Sequence, residues 1–236
     1  VLDSTWLSAG GKHTKLFEEK FSDYLGTKHS IAVQSGTAAL HVALKAFGVG
    51  EEDFVILPNG SCGASISTVV QCGAKPIVLD VEEDTYGLDS KNLEDAILEY
   101  SPKVVQIVHV YGFPSKNISK IKKICEKYNV FLLEDSAEAL GANYDGKMIG
   151  TFGDIATFSI RSEKMIGVGE GGVVTTNNTG LFEIVSRLAS RAAPFRTKQS
   201  PYWTKYFYDG EGYNYRLPHI LGAIALNPTI LIEDCD

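Results

Sequence analysis

The chain is 236 residues long, 44% hydrophobic, and carries a formal net charge of -7. That length suits one large domain or two small ones, and the apolar content suffices for a sizeable core. The 22 Lys and Arg are scattered rather than gathered in a basic stripe, which argues against a nucleic-acid partner. Four cysteines, Cys62, Cys72, Cys125 and Cys235, form no Cys-x-x-Cys pair and have no His cluster at metal-ligand spacing. They read as reduced packing thiols of a cytoplasmic protein, with no metal expected. The opening residues Val1 to Trp6 lack a basic start followed by an apolar run. No apolar stretch reaches the ~20 residues of a membrane helix, so neither secretion nor a membrane is expected. The lack of an initiator Met suggests that the gene product begins earlier.

In chain order, Thr14 to Leu25 places Leu16, Phe17, Phe21, Tyr24 and Leu25 at helical spacing, and Gly26 ends that helix. Ser30 to Gln34 is a short strand, and Ser35-Gly-Thr-Ala-Ala-Leu40 opens a helix running to Phe47. A strand, tight turn and helix N-terminus direct free backbone amides at one spot, where an anion can bind; the same residues equally suit a plain Ser or Thr cap. The alternation continues with Phe54 to Leu57, a helix over Ser65 to Gln71, and Pro76 to Leu79. A helix over Ser90 to Tyr100, capped by Asp89 or Ser90, leads to Val104 to Val110, a helix over Ile118 to Tyr128, and Val130 to Leu133. Short, almost wholly apolar strands between helices predict an α/β fold with a parallel sheet buried on both faces. Beyond Asp135 come a hairpin, Asn143 to Met148, turning at Asp145-Gly146, strands Ile155 to Ile160 and Gly172 to Thr176, and a helix over Leu181 to Arg191. Tyr202, Trp203, Tyr206, Phe207, Tyr208, Tyr213 and Tyr215 then crowd one glycine-containing stretch that is too aromatic for a solvated linker. A last helix begins at Leu221 and is expected to break at Asn227-Pro228.

Two residues stand where chemistry would want them. Lys164 lies in a Gly-rich segment between two strands, so its ammonium can be aimed into a cleft, and Asp135 ends an apolar strand, where α/β sheets present ligand-binding groups. A Schiff-base lysine and a carboxylate that keeps a pyridinium nitrogen protonated are the two protein groups pyridoxal phosphate (PLP) most needs. Taken singly, each also reads as a solvated loop lysine or a turn-capping Asp.

Four motifs occur in order: Ser35-Gly-Thr-Ala-Ala-Leu40, Glu134-Asp-Ser-Ala-Glu138, Phe158-Ser159 through Lys164 to Gly169-Glu-Gly-Gly172, and Gly212-Tyr-Asn-Tyr-Arg216. With Trp6-Leu-Ser-Ala-Gly10 and His109-Val-Tyr-Gly112, they make the chain resemble the PLP-dependent nucleotide-sugar aminotransferases, the DegT/DnrJ/EryC/StrS group, from about Trp6 to Ala225. The resemblance implies the large domain of a fold type I PLP transferase over residues 1–226, with an N-terminal helix and a mostly parallel sheet flanked by helices. Residues 227–236 would form an atypical tail where that group continues into a smaller C-terminal domain. It implies Lys164 as Schiff-base lysine and general base, Asp135 as partner of the pyridine nitrogen, and Glu138 beside the ring. Gly36, Thr37 and Ser159 would hold the phosphate. Asn214 would reach the phosphate of a neighbouring subunit's cofactor, so a homodimer with shared active sites is expected, with the aromatic stretch buried in it. The implied substrates are glutamate and a nucleotide-linked 4-keto-6-deoxyhexose, and the product a 4-amino-4,6-dideoxy sugar of viosamine or perosamine type. Cys62 stands where the group commonly places an aromatic residue on the ring face, and Arg161-Ser-Glu163 where many relatives carry an aromatic and small polar residues.

Three other readings compete. A nicotinamide-dependent oxidoreductase needs Gly-x-Gly-x-x-Gly in the first turn, where this chain has Ser-Gly-Thr-Ala-Ala. A PLP-dependent sugar 3-dehydratase of the same group replaces the lysine by His, against Lys164 here. A truncated relative that binds cofactor, or self-associates, without turnover is the third.

Overall fold

The structure, a computed structural model, describes residues 1–3, 6–193, 208 and 210–233. The elements follow in order as α1 (Lys12–Leu25), β1 (His29–Val33), α2 (Gly36–Ala46), β2 (Phe54–Pro58), α3 (Gly63–Gln71), β3 (Lys75–Leu79), α4 (Leu93–Tyr100) and β4 (Val104–Val108). After these come α5 (Ile118–Tyr128), β5 (Phe131–Asp135), the hairpin of β6 (Asn143–Tyr144) and β7 (Lys147–Met148), β8 (Ile155–Ser159), β9 (Gly172–Thr176), α6 (Thr179–Ala189) and α7 (His219–Glu233). The hairpin turns on Asp145 and Gly146, both at positive φ, as an Asp-Gly turn should.

Seven strands form one sheet in the order β1-β9-β8-β5-β4-β2-β3. β9 runs antiparallel to both of its neighbours, and the remaining pairs are parallel. Consecutive residues of one strand enter different cores, as the two-residue period requires. Val104, Leu133, Ile155 and Val174 pack with α2, α3 and α6, whereas Val105 and Leu132 pack with α4 and α5. Ala156 and Val173 pack with α1 and α7. The result is a three-layer α/β/α sandwich with a mostly parallel sheet, and both faces of each central strand are buried.

Several boundaries differ from the sequence expectation. The fourth helix starts at Leu93, not Ser90, because Asp89 is committed elsewhere: its amide donates to Asp80 O at 3.0 Å and its side chain accepts from the Lys91 amide. β4 stops at Val108, because Val110 to Gly112 form a single 3-10 turn with Tyr111 at φ 51. α3 begins two residues early, at Gly63, which makes Cys62 its N-cap. α6 starts at Thr179, where the Asn178 side chain accepts from the Gly180 and Leu181 amides. It ends at Ala189, two residues early, where Ser190 bridges Asn214. The expected break at Asn227-Pro228 does not occur, since α7 runs through it to Glu233.

α7 is held by the N-terminus of the chain. His219 is buried, its amide donates to Leu7 O at 3.1 Å, and its Nδ1 lies 2.7 Å from Trp6 O. The Nδ1 contact to a carbonyl places a hydrogen on that nitrogen, so Nε2 is the acceptor for the His13 amide at 3.2 Å and for His13 Nδ1 at 2.7 Å. The segment Trp6 to Gly10 thus has a structural role, clamping α7 against α1. Of the aromatic stretch, residues 202–207 lie outside the described residues. Tyr213 and Tyr215 stack on each other at 5.0 Å and meet the edge of His41 on α2. Cys72 and Cys125 are packing thiols that burial pushes up to about 11 and about 12, Cys62 is exposed, and Cys235 lies outside the described residues. No described helix is long and apolar enough to cross a membrane, and no described group of His, Cys, Asp or Glu could hold a metal ion.

Candidate active site

Because β1 and β8 are both antiparallel to β9, they point the same way, and their last residues meet at one edge. Val33 and Ser159 both pair with Gly172, on its two sides. A Cβ on Gly172 would lie 2.5 Å from Ser35 O, and one on Gly36 would lie 3.2 Å from Ser159 Cβ, so only glycine lets the start of α2 close on the end of β8. Ser35 caps α2 by accepting from the Ala38 amide at 3.0 Å, while the Gly36 and Thr37 amides precede any intrahelical acceptor. That end of α2 faces a cavity of about 620 Å³, within the range of small-molecule sites. Gly36, Thr37, Cys62, Asp135, Glu138, Ser159 and Lys164 all line it. A larger groove of about 830 Å³ lies against α1 and α6 and holds none of these residues.

Asp135 closes β5 and is buried. Its Oδ2 accepts from Ser65 Oγ at 2.9 Å and its Oδ1 from the Ala137 amide at 3.2 Å. Burial pushes its pKa above the ordinary aspartate value, against the opposing pull of these two donors. The next layer back is a fixed imidazole. His109 lines the cavity, takes the Ser115 amide on Nδ1, and so presents Nε2–H to Glu134 at 3.3 Å. Glu134 also accepts the amides of Gly150, Phe152 and Gly153, at 2.9, 2.6 and 2.5 Å, which anchors the loop before β8. Ser65 escaped the sequence reading, in which it merely began a helix.

Lys164 rides on the loop from β8 to β9. Ile160, Ile166 and Val168 sink into the core, and the loop bonds back on itself through Val168 N to Ile160 O at 3.1 Å and Lys164 N to Arg161 O at 2.9 Å. The lysine head is therefore held over the cavity, where Nζ lies 2.9 Å from Glu138 Oε1. Glu138 Oε2 accepts the Tyr111 amide at 3.0 Å. Burial would raise the Glu138 pKa, but the Lys164 hydrogen bond and the Tyr111 amide hold it below the usual carboxylate range. Cys62 lies on the cavity wall as the N-cap of α3, so that wall carries a thiol. Asn214 is exposed, bridges Ser190, and is not among the residues lining this chain's own cavity.

The cavity fits pyridoxal phosphate. The Gly36 and Thr37 amides and the Ser159 hydroxyl suit its phosphate, Lys164 its aldehyde, and the buried Asp135 carboxylate is a group that a facing pyridinium would restore to the charged form. A mostly parallel α/β/α sheet with this aspartate at a strand end and this lysine on the loop after the neighbouring strand defines the fold type I class of PLP enzymes.

The chain belongs to the DegT/DnrJ/EryC1/StrS aminotransferase family, whose model matches residues 1–228. It is 38% identical to a GDP-perosamine synthase of Escherichia coli O157:H7 over 95% of this chain and 59% of that protein. It is 39% identical to one of Caulobacter vibrioides over 95% of this chain and 58% of that protein. The chain thus spans less than two thirds of these relatives. Among solved structures, a GDP-4-keto-6-deoxymannose-3-dehydratase with a trapped PLP-glutamate geminal diamine superposes with a TM-score of 0.89 at 25% identity, over 98% of this chain and 64% of that one.

Proposed function

We propose that this chain, with pyridoxal phosphate as cofactor, carries out amino transfer from glutamate to carbon 4 of a nucleotide-linked 4-keto-6-deoxyhexose, giving a 4-amino-4,6-dideoxy sugar of perosamine or viosamine type. The observation that carries it is Lys164 Nζ held over the same cavity that the buried Asp135 carboxylate and the α2 N-terminus face. Bound there, the cofactor supplies an electron sink for the negative charge that develops at the donor carbon. Asp135 keeps the proton on the ring nitrogen, and Ser65 and the Ala137 amide fix its carboxylate plane. Lys164 Nζ would take the proton from the α-carbon of glutamate in the first half of the cycle and, as the ammonium, would deliver a proton to carbon 4 of the sugar in the second. Glu138 stabilises the ammonium that this proton uptake creates. Similarity to GDP-perosamine synthases supports a sugar nucleotide as acceptor, with the guanosine, uridine and thymidine diphosphate forms all to be tried. A homodimer in which Asn214 enters the partner's cavity, in the cytoplasm, completes the proposal.

The test incubates the protein with PLP, glutamate and each 4-keto sugar, and follows 2-oxoglutarate and the aminated sugar by mass spectrometry. Borohydride should fix PLP on the wild-type chain and not on Lys164→Ala. Loss of the carbon 3 hydroxyl in place of amination would favour the dehydratase reading, and neither reaction on any of the three sugars would overturn the proposal.

A further inference from the structure

Arg161 opens the stretch Arg161-Ser-Glu163 directly before Lys164. Its guanidinium lies on the wall of the Lys164 cavity, with Nη1 3.3 Å from Glu163 Oε1 and Nε 3.4 Å from Glu170 Oε1. The two glutamates come from opposite arms of the loop, one directly before Lys164 and one from Gly169-Glu-Gly-Gly172, and both also line the cavity. The Arg161 side chain is 59% exposed, and ion pairs this wet contribute only about 0–1 kcal/mol to a fold. Fold stability therefore gives little reason for a guanidinium here. Aim gives a better one. Of its five N–H donors, two are engaged by side chains, each with a single carboxylate oxygen beyond 3.2 Å, so neither contact is the short bidentate pairing that arginine forms with a carboxylate or phosphate.

The charge of the wall points the same way. Asp135, Glu138, Glu163 and Glu170 face Arg161 and Lys164, an acidic surplus. Both substrates of the proposed reaction are anions, a dicarboxylate and a nucleotide diphosphate, and the second must enter past this acid rim. Lys164 is held by Glu138 and is needed at the cofactor, which leaves Arg161 as the lining cation for a substrate.

We propose that Arg161 is the substrate-anion receptor at the cavity mouth. It takes a two-oxygen anion, the carboxylate of the amino donor or the diphosphate of the nucleotide, in a bidentate fork in exchange for Glu163 and Glu170. This rests on the proposed amino transfer and adds a specificity residue to it.

The experiment titrates PLP-loaded protein calorimetrically with succinate, as a dicarboxylate without an amino group, and separately with GDP, UDP and dTDP, at low and moderate salt. Arg161→Gln should weaken one class of ligand by about tenfold or more, remove most of its salt dependence, and leave PLP content and visible absorbance unchanged. Arg161→Lys should recover only part of the affinity, since an ammonium keeps the charge and loses the fork. Loss confined to the diphosphates assigns the nucleotide, and loss confined to succinate assigns the donor. Wild-type affinity of Arg161→Gln for every ligand would overturn the proposal, as would a PLP-loaded wild-type chain that binds none of them. Loss of PLP from Arg161→Gln would also overturn it, moving the residue to the cofactor. A wild-type chain that holds no PLP fails the amino-transfer reading itself, before any variant is compared.

Discussion

Ser65→Ala isolates the environment of Asp135 from the rest of the site. Both side chains are buried, and the hydroxyl donates to Oδ2 at 2.9 Å, so the substitution leaves a desolvated carboxylate with the Ala137 amide alone. Losing one hydrogen bond to a buried charge costs about 1.5–3 kcal/mol. At this chain length that corresponds to about 3–12 °C in Tm. The sign with pH follows from the raised pKa. Between the ordinary aspartate value and the higher folded value, the native state holds a proton that the unfolded chain has released. Cofactor-free protein should therefore lose stability as pH rises through that window, and be constant above it. Ser65→Ala removes a contact that favours the charged form, so its loss should extend to higher pH than in wild type, and Ser65→Thr should restore most of the difference. Saturation with PLP should narrow the gap between Ser65→Ala and wild type, because a pyridinium partner favours the same charged carboxylate. The assay is urea denaturation of PLP-free and PLP-saturated protein from pH 4 to 8. Identical curves for wild type and Ser65→Ala in the PLP-free state would refute the reasoning, because the hydroxyl would then carry none of the carboxylate's solvation.

Lys164→Ala removes the ion pair with Glu138, whose side chains are 19% and 34% exposed. Its effect on PLP-free stability should stay below about 1 kcal/mol by urea denaturation while borohydride fixation of PLP disappears, and a larger loss would make the lysine a structural residue. Gly172→Ala puts a methyl 2.5 Å from Ser35 O and should weaken PLP binding, measured by fluorescence quenching, by about tenfold or more through displacement of the α2 N-terminus; unchanged affinity would exclude that end of the helix as the phosphate site. His219→Phe removes the acceptor for two His13 donors and the donor to Trp6 O, and should cost about 2–3 kcal/mol in denaturant midpoint analysis, with a loss under about 0.5 kcal/mol refuting the clamp. Burial first, with the Lys12 charge adding to it, lowers the His13 pKa. Stability from this group should therefore fall as pH drops from the ordinary histidine value through the folded one, and His13→Gln should flatten that slope.

The sheet was legible because a strand buried on both faces has little polar period to confuse: Val104 to Val110 and Val130 to Leu133 read as strands between helices, and strands formed at Val104–Val108 and Phe131–Asp135. Boundaries were lost where a distant bond outbid local preference, as when Asp80 O claimed the Asp89 amide. Lys164 and Asp135 were legible for different reasons, Asp135 as a charge at the end of an apolar run and Lys164 as a charge in a Gly-rich loop between two strands. Ser65 was not, and α3 shows why. Periodicity assigns the apolar residues of a helix to its core face, and on that rule Ile66 and Val70 would be buried. In the fold they are 40% and 60% exposed, while Ser65 and Thr68, three apart, are fully buried. Val69 on the same face is buried in the apolar core, and Ser65 reaches the end of β5, where it donates to the buried Asp135 carboxylate. Thr68 satisfies itself on Ala64 O, and Ser65 is left for Asp135. A serine buried on the core face of a short helix, beside an apolar neighbour, has its hydroxyl to satisfy, and in this chain it does so on the same aspartate as the motif.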